Sequence, residues 1–200
     1  MARLEFFFDC SSPWTYLAFH RIEALAAETN ATLVWRPFLV GGVFNTVNRS
    51  VYEQRAHPVP AKARYYLKDL QDWARHYGLR IGSPPVFPVN SVKAMRGGFV
   101  ALERGCLPAY ARAVFEAYWG DLEDISQDAV LDHIVRRVGL DPADFFAKIT
   151  TQAYKDKLRA STDELIARGG FGSPTMFVDG DDMYFGNDRL VLVRDALLRR

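Results

Sequence analysis

Apolar and polar positions follow two different periods along this chain, and the changes of period divide it. Phe6-Phe7-Phe8 is a continuous aromatic run, as in a short strand covered on both faces, and it stops at Asp9. Ser12-Pro13 then starts a helix, since a serine oxygen caps free N–H groups and proline fits the first helical position. Trp14, Leu17, Ala18, Ile22 and Leu25 continue it at helical spacing. Residues 32–38 read as a second strand, which predicts a βαβ unit with a right-handed crossover. Residues 41–60, with two glycines and two prolines, read as a long irregular stretch of the kind that covers a site.

The middle of the chain is helical in pattern. Tyr66, Leu70, Trp73, Ala74 and Tyr77 form one stripe over residues 62–78. Pro84 to Pro88 interrupts, and Asn90-Ser91, Pro108, Ser126 and Asp141-Pro142 look like further helix starts before Gly169-Gly170. Residues 175–178 and 183–185 return to strand character around Asp179-Gly180-Asp181-Asp182, a hairpin turn. Asn187-Asp188 is placed to cap a last helix carrying Leu190, Leu192, Val193, Leu197 and Leu198. The pattern predicts an α/β chain: a discontinuous thioredoxin-like domain (1–60 and 169–200) with a four-stranded mixed sheet, interrupted by an all-helical insertion domain (61–168), the DsbA-like arrangement.

Composition narrows the function. The 200 residues are 49% apolar and carry a net charge of +1 with scattered Lys and Arg, so no nucleic-acid footprint appears. No apolar run approaches the roughly 20 residues of a membrane span. Asp9 interrupts the first apolar run too early for a signal peptide, and Cys10 and Cys106 form no CxxC pair. A reducing, cytoplasmic setting is expected. Without secretion, the sequons at Asn30 and Asn48 carry no meaning. His20, His57, His76 and His133 lack metal-ligand spacing, so no metal site is expected.

Three stretches carry candidate chemistry, each with a purely structural alternative. Ser12 lies where unpaired N–H donors and the positive end of a helix dipole converge, a place that favours anions and thiolates; alternatively it is only a cap. Ser173-Pro174 enters a strand, where a cis bond would leave the backbone before the proline free to pair with an extended peptide; the alternative is a trans turn. Phe185-Gly186-Asn187-Asp188-Arg189 joins a strand to a helix and either caps it or clamps an amino acid, with helix N–H groups for a carboxylate and Asp188 for an ammonium.

These stretches, with Arg36-Pro37-Phe38-Leu39, Tyr66 to Ala74, Phe87-Pro88-Val89-Asn90 and Phe171 to Phe177, resemble the 2-hydroxychromene-2-carboxylate isomerases over nearly the whole chain. That family is similar to the kappa-class glutathione transferases. The resemblance implies glutathione as cofactor, a small aromatic carboxylate as substrate, and a homodimer. It makes Ser12 the residue that holds and activates glutathione, Ser173 and Pro174 the segment pairing with its cysteinyl part, and Asn187 and Asp188 the γ-glutamyl clamp. Lys62 and Asn90 fall where the family faces its second substrate. In the family reaction, glutathione adds to the chromene ring, the ring opens, a bond rotates, and loss of glutathione leaves trans-o-hydroxybenzylidenepyruvate.

Where thioredoxin-fold oxidoreductases carry C-P-x-C, this chain has Ser12-Pro13-Trp14-Thr15. Cys10 departs from the apolar residue usual at its position. Trp14, Phe38 and Phe44 are candidates for an apolar wall, and Arg36, Arg49, Lys62 and Asn90 for the substrate carboxylate. The alternatives are a kappa-like glutathione transferase, a thiol oxidoreductase or peroxidase using Cys10, and a non-catalytic thioredoxin-like binding module.

Overall fold

A computed structural model describes residues 2–199. Strand β1 (Arg3–Phe8) leads into helix α1 (Pro13–Glu28) and strand β2 (Thr32–Pro37). Helices α2 (Val40–Thr46), α3 (Ser50–Ala56), α4 (Pro60–His76), α5 (Val92–Glu103), α6 (Leu107–Phe115), α7 (Asp128–Arg137), α8 (Pro142–Thr150) and α9 (Gln152–Ala167) follow. Strands β3 (Thr175–Val178) and β4 (Asp182–Phe185) and helix α10 (Leu190–Leu198) complete the fold. The sheet order is β2-β1-β3-β4, with β1 parallel to β2 and the other neighbours antiparallel. This is the DsbA-like thioredoxin arrangement, a mixed sheet with the helical segment set between β2 and β3.

Strand alternation sends the Phe run to both faces of the sheet. Phe6 and Phe8 pack with Trp35, Phe19 and Phe115 on the α1 side. Phe7 turns the other way, onto Phe38 and Phe177. The α1-side core continues without a break into the helical segment, reaching Leu131, Ile134 and Phe145. On the Phe7 side, buried Glu5 is paired with Arg3, Arg36 and Arg168, while Glu164 pairs with Arg36 and Arg168, so α9 is fastened to the sheet by charge as well as packing.

Three expectations need correction. Residues 41–60 are not irregular, because α2 and α3 occupy most of the stretch. Val40 and Val43 give α2 a buried edge, and Gly42 lets it pass close to Thr162, so the glycines permit packing rather than break the helix. The last helix is not capped by Asn187 or Asp188 side chains. A 3-10 turn (Asn187–Arg189) precedes α10, and Gly186, at φ +103, redirects the chain so that Asn187 becomes buried. Phe38 is fully buried against Phe7 and cannot line a cleft.

Helix α5 is the hub of the helical segment, packing on α6, α8, α9 and β2. Gly97 makes this possible, since a Cβ there would overlap the Tyr110 hydroxyl and the Phe145 ring. Gly97→Ala is therefore expected to destabilise the chain by about 1–3 kcal/mol through overpacking, outweighing a helix-propensity gain of at most about 1 kcal/mol. A lower urea midpoint with an unchanged m-value would bear this out; a raised midpoint would show that the contact yields.

Candidate functional site

The site is assembled where β1 ends. Ser12 N–H donates to the Asp9 carbonyl at 3.2 Å, closing the turn, and the Ser12 carbonyl accepts from Tyr16 at 3.1 Å. The Ser12 hydroxyl oxygen accepts from Thr15 N–H at 3.3 Å, the expected N-cap. Pro13 has no N–H to offer, so the Trp14 N–H is the donor at this helix end without a partner inside α1. Ser12 is half-buried and reaches solvent.

The same hydroxyl donates to the Ser173 carbonyl at 3.0 Å. The Ser173–Pro174 bond is cis, and the Ser173 side chain is locked from two sides: its oxygen accepts from Asp9 N–H at 3.1 Å and meets Thr15 Oγ1 at 2.7 Å. Ser12, Ser173 and Pro174, far apart in the sequence, are thus one cluster. The Ser173 carbonyl, expected to be free for a peptide, is instead taken up by Ser12 here.

Asp9 holds the surroundings in register. Its buried carboxylate accepts from Ser11 N–H at 2.9 Å, Val40 N–H at 2.8 Å and the Ser91 hydroxyl at 3.1 Å. Burial pushes this carboxyl above its ordinary value of 3.8, with the hydrogen bonds opposing the shift. Cys10, also buried, has its thiol pushed well up by burial and by the neighbouring Asp9 charge. The Cys10 backbone is pinned by Trp119, whose ring N–H donates to its carbonyl at 2.9 Å.

Other sequence candidates are spread around this cluster. Asn187 is buried near the Tyr77 phenol, yet neither of its amide atoms makes a hydrogen bond of ordinary geometry. Asp188 lies at the surface, paired with Arg189. Lys62 is exposed near the start of α4. Asn90 is exposed, and its side-chain oxygen accepts from Val92 N–H. Arg49 is exposed and donates to the Asn45 carbonyl. Arg36 is committed to Glu5 and Glu164 on the Phe7 side of the sheet.

Trp14 and Phe44 were candidates for an apolar wall, whereas Tyr52, Phe87 and Trp119 escaped sequence reasoning as neighbours of the site. Trp14 meets Tyr66 edge-on at 5.5 Å. Phe44 meets Tyr52 at 6.4 Å, and Phe87, preceding a second cis proline, packs at 6.1 Å on Trp119. Trp119 belongs to a π-turn (Glu116–Gly120), a local widening that has no composition signal.

These observations define a thioredoxin-type site with a helix-capping serine in place of the redox sulfurs. Residues 3–198 match the family model described as DSBA-like thioredoxin domain. The chain is 30% identical over 198 residues to the 2-hydroxychromene-2-carboxylate isomerase of Pseudomonas putida, covering 98% of this chain and 94% of that one. It is 29% identical to glutathione S-transferase kappa 1 of Rattus norvegicus, covering 95% and 88%. A solved 2-hydroxychromene-2-carboxylate isomerase superposes with a TM-score of 0.83 at 28% identity, over 98% of this chain and 95% of that one. The chain belongs to the DsbA-like thioredoxin family and, within it, to the group of the 2-hydroxychromene-2-carboxylate isomerases. No helix among the described residues is long and apolar enough to cross a membrane.

Two outcomes are expected from these environments. Because burial raises the Asp9 pKa, the stability associated with its neutral form is fully present below pH 3.8 and is lost as pH rises through the folded-state value. Compared with Asp9→Asn, the parent should therefore lose stability over that window, read from urea midpoints at a series of pH values; parallel curves would refute it. Thiol chemistry should also separate the cysteines. In the native protein a disulfide-exchange reagent should reach half-buried Cys106 slowly and Cys10 only after unfolding, whereas rapid native labelling of Cys10 in Cys106→Ser would contradict its burial.

Proposed function

We propose that the chain is a glutathione-dependent isomerase of small aromatic carboxylates of the 2-hydroxychromene-2-carboxylate type, giving trans-o-hydroxybenzylidenepyruvate-type products. The observation that carries this reading is the Ser12 hydroxyl, held at the start of α1 and against the carbonyl preceding a cis proline. The only nearby sulfur nucleophile candidate in the loop, Cys10, is buried with a raised pKa.

The residues present fit glutathione. The backbone at Ser173–Pro174 suits its cysteinyl part, and the unpartnered buried amide of Asn187, beside Asp188, suits the γ-glutamyl end. When bound, glutathione supplies the thiolate nucleophile. Ser12 redirects its hydroxyl hydrogen from the Ser173 carbonyl to that sulfur. With the Trp14 N–H and the positive end of α1, this favours the ionised thiol and lowers its pKa from about 8.5 toward neutrality. Serine cannot be oxidised, so the site activates a thiol without consuming it, as an isomerisation requires. Trp14, Phe44 and Phe87 offer apolar surface to the ring, and Arg49, Lys62 and Asn90 remain polar groups for the second substrate. A cytoplasmic homodimer is part of the same reading.

Ser12→Ala should fold with a loss of about 1 kcal/mol from the missing cap. Turnover of 2-hydroxychromene-2-carboxylate at saturating glutathione should fall about 100-fold or more. Unchanged turnover would make Ser12 a cap only. Turnover without glutathione would remove the cofactor, and conjugation of aromatic electrophiles without isomerisation would favour the transferase alternative.

A further inference from the structure

Two aromatic side chains near the Ser12 loop flank one guanidinium. Arg55, on α3, lies with its guanidinium carbon 5.6 Å from the centre of the Phe44 ring and 5.2 Å from that of Phe87. Phe87 rests on Trp119, which holds the Cys10 carbonyl, so this wall is tied to the loop that carries Ser12. Phe44 lies on α2, whose first N–H is held by Asp9. Tyr66, which packs on Trp14 two residues beyond Ser12, is near enough to feel the Arg55 charge. Burial raises the Tyr66 and Tyr118 phenols, and the Arg55 charge acts on both in the opposite sense.

Helix α3 itself is fixed next to the cis-proline segment. Asn48, just before it, donates to the Phe171 carbonyl at 3.0 Å, the Ser50 hydroxyl bonds Asn48, and the Tyr52 hydroxyl bonds Asn45 at 2.7 Å. Arg55 forms no ion pair among the described residues. By contrast Arg36 and Arg168, also stacked on rings, are each bound to carboxylates. Arg55 is exposed, and its two aromatic neighbours orient the planar guanidinium while leaving its edge N–H groups free. That edge matches a carboxylate with two parallel hydrogen bonds.

We infer that Arg55 binds the carboxylate of the aromatic substrate and sets the selectivity of this site for anionic over neutral rings. The inference rests on the isomerase reading for the substrate's class. It differs from that reading in assigning the carboxylate to Arg55 rather than to Arg49, Lys62 or Asn90.

Binding is measured with chromone-2-carboxylate, an unreactive ring analogue, and with its methyl ester. Parent, Arg55→Gln, Arg55→Lys and Arg159→Gln are compared by calorimetry, with circular dichroism and thermal midpoint as fold controls. The parent should prefer the acid over the ester by about 10-fold to 100-fold. Arg55→Gln should erase that preference with ester affinity unchanged, Arg55→Lys should retain part of it, and Arg159→Gln, an exposed position on α9, should keep it. With substrate, Arg55→Gln should raise KM while retention on immobilised glutathione stays as in the parent. No acid preference in the parent, a preference that survives Arg55→Gln, or equal loss for acid and ester overturns the inference. Absence of turnover in the parent defeats the isomerase reading alone, since the acid-to-ester ratio is read without chemistry.

Discussion

Asp9 is a carboxylate inside the protein whose closest partners are hydrogen-bond donors rather than cations. Those donors come from three places: the loop that carries Ser12, the first residue of α2, and Ser91 at the start of α5. A buried acceptor of this kind is costly to leave unmatched, and each of its donors would be equally exposed by its loss, at about 1–3 kcal/mol apiece. The three segments therefore share one geometry. Ser12 inherits its position from that arrangement, because the Asp9 N–H also holds the Ser173 side chain and the Asp9 carbonyl closes the turn onto Ser12.

The helical segment is joined to the sheet both through this junction and through the continuous α1-side core. Its contribution to the site is accordingly indirect. The π-turn after α6 brings Trp119 under Cys10 and Tyr118 under the Val86 carbonyl, at 2.9 Å and 2.8 Å. Phe87 rests on that support and stays exposed. The helix start at Ser12 supplies the electrostatics, and the inserted helices supply the surface above it.

What could be read from the sequence was local. Phe6-Phe7-Phe8, Ser12-Pro13 and the Asp179-Gly180 turn each carry their own periodicity or turn chemistry, and the four strands follow from them. Ser12 was legible as a helix start for the same reason, and its association with Ser173 was implied by the family resemblance. Helices α2 and α3 were not legible, since short helices with two glycines and hardly any buried stripe leave no 3.6-residue pattern. Asn187 read as a cap because only the backbone at Gly186 decides which way its amide turns. Arg55 and Phe87 were missed because their setting comes from residues far along the chain, as with Phe38, whose burial depends on Phe7 across the sheet.

Helix α3 has no buried residue, and hydrogen bonds around its amino end hold it beside the Phe171 loop. The serine end of the site, by contrast, is embedded in the core through Asp9, Thr15 and Ser173. Substitutions on α3 therefore escape the stability threshold that restrains core positions. Selection can alter the aromatic surface around α3 while the Ser12 end stays the same, so, on the isomerase reading, descendants of one such chain would diversify in the compounds they accept sooner than in the chemistry they perform.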